Sequence, residues 1–183
     1  MIRISKGTLY NFSQHNSFYY NTFKIPKNNG GHRLIAQPSR SLKAIQAWIL
    51  RNILEKLNSS SSSKGFEMGT SILDNAIPHQ EANAILSIDL EDFFSNIKSN
   101  WVFCVFRSLG YDYVISSILT TLCTYNGYLP QGGPCSPKLS NLVCLSPGFK
   151  IRRVCWEKEH YLHSIRRRFD FFCYKYQQTF TIL

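Results

Sequence analysis

The tetrad Asn28-Asn29-Gly30-Gly31 lies between two arms, residues 23–27, in which apolar and polar side chains alternate, and residues 32–35. An Asn-Gly step supplies the left-handed backbone of a tight hairpin turn, so strand, turn, strand is predicted over residues 23–35. Pro38 and Ser39 then lead into Leu42, Ile45, Ile49, Ile53 and Leu57. That spacing of three and four predicts an amphipathic helix, ended by the serine run 59–63, which reads as a loop.

Thr70-Ser71 opens a second predicted helix, and residues 84–90 form a short apolar segment with the look of a buried strand. Residues 101–109 and 113–125 are read as helices stopped at Gly110 and near Gly127. Two prolines and two glycines in residues 129–134 exclude helix interior there, and a helix can begin at Ser136. The predicted class is α+β.

At 183 residues with 44% apolar content, the chain can bury a core of its own. Its net charge of +10 favours a polyanionic partner, nucleic acid above all. The distribution is uneven: residues 1–141 carry 13 Lys/Arg against 8 Asp/Glu, and residues 142–183 carry 8 against 3. No leader-like start and no run of about 18 apolar residues occurs, so a soluble intracellular protein away from membranes is expected. Six dispersed cysteines without a CxxC pair are expected to be reduced thiols. Cys155, His160, His163 and Cys173 match no familiar zinc spacing.

Asp89 closes the apolar segment and is followed by Leu90-Glu91-Asp92-Phe93-Phe94. A carboxylate fixed at a strand end is well placed to hold a hard cation such as Mg²⁺, although taken alone such an Asp is more often a turn or capping residue. Its neighbours change that balance. Arg33-Leu34-Ile35, residues 65–72, residues 89–94, and Leu129-Pro130-Gln131-Gly132 with Ser136-Pro137 and Leu139-Ser140-Asn141 follow one another in order. Together they resemble the first four conserved blocks of reverse transcriptases, spelled IPKxxGGxR, SIxxNA, IDLxDFF and LPQGxPxSPxLSN over residues 24–141. Asn75-Ala76-Ile77-Pro78-His79 adds the NAxxH signature of the bacterial retron branch.

The resemblance implies a right-hand polymerase, with fingers built on the hairpin and a palm around Asp89, that performs RNA-directed DNA synthesis by two-metal nucleotidyl transfer. It implies Asp89 as catalytic residue and Mg²⁺ ligand, and Arg33 as a contact to the incoming triphosphate, with Lys27 a weaker candidate for the same role. Phe94 matches the steric gate that excludes a ribose 2′-hydroxyl, while Phe93 is assigned to the core. Gln131 and Gly132 would line the nucleotide pocket, the glycine allowing close backbone approach. Implied partners are deoxynucleotides and a structured RNA serving as template and often primer, in a bacterial cytoplasm, and an effector protein would be a further partner. Gly133, Cys135 and Gln37 depart from the family's usual residues at their positions.

Such an enzyme also needs a Tyr-x-Asp-Asp hairpin, and none occurs in these 183 residues. With suitable synonymous codons, residues 162–171 read one nucleotide later give YTRYADDLT, the missing block in retron form. The same shift over residues 147–161 gives LDLKYEEYVGKRSIT. Residues 1–146 are therefore expected to be fingers and partial palm, residues 147–183 an out-of-frame, poorly folded tail, and the thumb absent. The chain so read is inactive. The alternative is a non-catalytic RNA-binding protein using the basic tail.

Overall fold

The predicted hairpin is present in the computed structural model, which describes residues 5–27, 30–60, 63–80, 85–90, 92–145, 161–165 and 168–172, with backbone alone for residues 85–89, 161–165 and 168–172. β1 (Tyr20–Pro26) and β2 (His32–Pro38) pair antiparallel from Tyr20↔Pro38 to Pro26↔His32. Side chains of alternate residues share a face. Tyr20, Ala36 and Pro38 on one face are buried at the base, whereas Phe23, Ile25 and Arg33 on the other are exposed toward the tip. The base is thus anchored and the tip projects.

The chain forms two compact units. The first comprises Met1–Asn58 and Asp92–Cys144 and contains this hairpin. Its α2 (Arg40–Asn52) begins where Ser39 Oγ accepts a hydrogen bond from the Leu42 N–H, satisfying a donor the helix leaves orphaned. Leu42, Ile45 and Ile49 face the core at the predicted spacing, and Gln46 is buried beside them. Burying each of the three aliphatic side chains stabilises by about 1.5–3 kcal/mol.

α5 (Ser99–Ser108) and α6 (Tyr113–Cys123) pack on one another, α5 also on α7 (Ser136–Cys144), and α6 also on α2. Gly110 sits at φ +88, the left-handed stop expected after α5. The first helix, α1 (Lys6–Gln14), lies against α6, and the side chain of Asn16 beyond it donates to the carbonyls of Thr121 and Thr124 at 2.6 and 2.7 Å. Asn16 thereby satisfies carbonyls at the C-terminal end of α6.

The second unit comprises Ser59–Glu91 and Leu145–Leu183. Ser71 and Asp74 form a reciprocal capping box at α3 (Ile72–Ala76), and the hydrogen bonds from Ser71 hold the Asp74 carboxyl below its usual range. β3 (Ile85–Asp89) is the predicted strand. It pairs antiparallel with β5 (Arg168–Phe172), which in turn pairs with β4 (Tyr161–Ile165), giving the order β3-β5-β4. β4 and β5 both lie inside residues 147–183. Their source is visible in Arg168-Phe169-Asp170-Phe171, where aromatic and charged residues alternate with the period of a strand. The remainder of residues 147–183, including Cys155, His160 and Cys173, lies outside the described residues. The mixture of helices with small antiparallel sheets is α+β, as expected.

Candidate functional site

An Asn-Gly pair at residues 126–127 begins the construction of the site. Asn126 and Gly127 take φ of +48 and +82, and Tyr125 and Tyr128 exchange both backbone hydrogen bonds, at 2.8 and 3.0 Å. This two-residue turn has both central residues left-handed, as Asn-Gly favours. The returning chain then bonds to the segment after α4 (Phe93–Asn96): Leu129 N–H donates to Ile97 C=O at 3.0 Å, and Ser99 N–H to Gly127 C=O at 2.7 Å. These bonds fix where residues 130–135 run.

That segment is docked on β2. Ala36 N–H donates to Gln131 C=O at 2.9 Å. Gly132 has φ +123, and a Cβ there would meet Ala36 O and Ile35 Cγ2 at 3.2 Å each. The close approach expected of this glycine is therefore to the strand that carries Arg33, whatever else approaches it. Gly133 is equally confined, since a Cβ would lie 3.0 Å from Pro130 Cγ and from Ser136 Oγ. Ser136 Oγ locks the turn from within by donating to Pro130 C=O at 2.7 Å.

Beneath the turn is a buried polar cluster that the sequence reading missed. Gln46, fully buried on α2, donates from Nε2 to Tyr20 Oη and to Leu122 C=O, both at 2.7 Å. Cys135 Sγ donates to Gln46 C=O at 3.0 Å. Burial drives the Tyr20 hydroxyl pKa up, with the bond from Gln46 opposing in part. A hydrogen bond with Cys135, together with burial, raises that of Cys123. Tyr20 and Cys123 are held neutral, and the cluster serves the scaffold. Their only readable signal was polar residues at core-facing helix positions.

The remaining expected residues divide between the two units. Arg33, opposite Ile25 in the hairpin, is exposed. Lys27, at the turn, brings Nζ to 3.5 Å from Oδ1 of Asp92, two residues before Phe94. Phe94 is 5% exposed and Phe93 9%, with ring centroids 5.5 Å apart, so both stand in the core of the first unit. Asp89 is the last residue of β3 in the second unit, and its cross-strand partner in register is Arg168. Among the described residues no group of three or more His, Cys, Asp or Glu is arranged to hold a metal ion. One strand-end carboxylate in register with an arginine is a poorer donor set than two divalent cations require.

The family model described as reverse transcriptase (RNA-dependent DNA polymerase) matches residues 25–174. The chain belongs to that family. Its relatives place it with the retron type. It is 52% identical over 152 residues to the Retron Ec86 reverse transcriptase of Escherichia coli, covering 82% of this chain and 48% of the relative. Two from Myxococcus xanthus follow: Retron Mx162 reverse transcriptase, 35% identical over 69% of this chain and 30% of the relative, and Retron Mx65 reverse transcriptase, 34% over 78% and 38%. The chain thus spans about half the length, or less, of these curated relatives. Among the described residues no helix is long and apolar enough to cross a membrane.

Proposed function

We propose that this chain carries the fingers and part of the palm of a retron-type RNA-directed DNA polymerase, a bacterial cytoplasmic enzyme acting on structured RNA and deoxynucleotides. The observation that carries the reading is the docking of the Gln131-Gly132 turn on β2. It ties the pocket-lining block to the strand bearing Arg33. In this reading Arg33 and Lys27 neutralise the triphosphate, Gln131 and Gly132 line the nucleotide pocket, and Phe94 selects the sugar. Phosphoryl transfer asks mainly for positioning and charge stabilisation, and these residues supply both. Arg33→Ala is expected to weaken deoxynucleoside triphosphate binding about 10- to 100-fold, the worth of a charge-assisted hydrogen bond.

Asp89 is the position where the family's Mg²⁺ would be held. The chain contains no Tyr-x-Asp-Asp, and Arg168 stands in register with Asp89, so the proposal includes a catalytically incomplete centre. Primer extension on RNA with Mg²⁺ tests this: no incorporation above a no-enzyme control is expected, and robust synthesis refutes it. The charge of +10 also favours a second reading, a non-catalytic RNA-binding protein. Loss of most RNA affinity on deleting residues 147–183 supports it, and unchanged affinity removes the tail from any such role.

A further inference from the structure

Asp92 occupies the position before the first turn of α4, where an aspartate ordinarily lends its carboxylate to the helix N–H groups. Here it makes no such bond. Its backbone is left-handed, at φ 45 and ψ 39, and its carbonyl accepts from both Asn96 N–H and Asn96 Nδ2, at 3.1 and 3.2 Å. The residue is fixed while its carboxylate is turned away, to within 3.5 Å of the Lys27 ammonium. Lys27 is fixed as well, since its N–H donates to Gly31 C=O at 3.0 Å and its carbonyl accepts from Gly30 N–H at 3.1 Å. Two pinned backbones thus hold opposite charges together at the hairpin turn.

We propose that Asp92 is a positioning residue for nucleotide binding, a resting counter-ion that holds Lys27 and yields it to an arriving polyphosphate. The inference rests on the reading of the hairpin as the triphosphate contact. The Lys27 side chain is 32% exposed and that of Asp92 58%, so the pair is solvent-screened and weak. Weakness suits the role. A flexible lysine gains a defined direction, and a polyphosphate with several negative charges displaces a single carboxylate. Asp92 therefore competes with the ligand, and its removal tightens binding.

The test uses the whole 183-residue chain, titrated with inorganic tripolyphosphate by calorimetry at low ionic strength. Asp92→Asn is expected to bind about two- to five-fold tighter, the upper figure being the equivalent of about 1 kcal/mol. Asp92→Glu, which keeps the charge, should bind like the unchanged chain. The gain should vanish in a Lys27→Ala background and fade in 0.5 M salt. A merely structural role for Asp92 predicts none of these dependences. Unchanged or weaker binding by Asp92→Asn overturns the proposal, as does an equal gain without Lys27, or no binding by any variant. Arg33→Ala distinguishes the two failures. If it loses affinity while Asp92→Asn is neutral, the triphosphate site stands and the counter-ion falls. If neither Arg33→Ala nor Lys27→Ala changes affinity, both fall.

Discussion

Gly132, proposed to line the nucleotide pocket, is held against β2 by its own lack of a side chain. At φ +123 any side chain is strained, and a Cβ meets backbone oxygen and a methyl at 3.2 Å, so Gly132→Ala carries both penalties. It should cost about 2–4 kcal/mol and separate the Gln131 carbonyl from Ala36. A lowered thermal midpoint together with lost nucleotide binding is the expected pair of results, and a fully stable variant would contradict the docking. Phe94 poses a different problem. Because it is 5% exposed, Phe94→Ala opens a cavity expected to cost about 3–5 kcal/mol. Sugar selection is therefore better tested with Phe94→Leu in an enzyme whose reading frame has been restored. Ribonucleotide incorporation should rise there, and unchanged selection removes Phe94 from the gate. Cys135 stands where the family commonly has threonine, whose hydroxyl at the same place could make the donation to Gln46 C=O that the thiol makes.

The packing of β1, α2 and α7 carries a pH dependence whose sign follows from burial. Burial pushes the Cys144 thiol, on α7, up to about 12 from 9.0, and raises the Tyr20 hydroxyl above its ordinary 10.0. Both groups keep their protons longer folded than unfolded. Their contribution is complete below pH 9 and is lost as pH rises through the window from 9 toward 12. The thermal midpoint should hold from pH 7 to 8.5 and fall steeply by pH 10.5. Cys144→Ala should flatten that fall, by at most about 1.4 kcal/mol per pH unit. A midpoint independent of alkali would show that these groups titrate freely. At this scale the sequence was legible wherever chemistry was local: the Asn-Gly step gave the turn between β1 and β2, a period of 3.6 gave α2, which stops at Asn52 short of the expected serine run, and glycine ended α5. It was illegible where tertiary packing decides. The polar helix α1 was unread because its few apolar residues, such as Phe12, matter only once it lies against α6. The Asn126-Gly127 step fits a helix stop as well as a turn, and the Gln46 cluster joins residues 76 and 89 positions apart, which no local pattern reports.

For the whole molecule the charge sets one expectation and the tail another. RNA binding by a chain of net charge +10 should come from phosphate contacts and weaken steeply with salt, because neutralised phosphates release counterions. Measured affinity that ignores salt between about 50 and 200 mM rules out that mode. The tail leads to the gene. β4 ends at Ile165 and β5 begins at Arg168, and the shifted reading writes Tyr-Ala-Asp-Asp across positions 165–168, so its catalytic pair falls between and at the start of the two strands. The in-frame resemblance runs through Asn141 and the shifted one resumes by about Pro147, so a change of register by a single nucleotide is expected between those codons. The codons of Arg166, Arg167 and Arg168, read one nucleotide later, must then contain GCN GAY GAY, and the restored frame should continue into the rest of a palm and a thumb. Sequencing the gene decides it. If those arginines are written with AGA or AGG triplets that cannot yield this reading, or no thumb-like sequence follows, the tail is native. Arg168 is then the true partner of Asp89 in the sheet, and the chain is not a frameshifted polymerase.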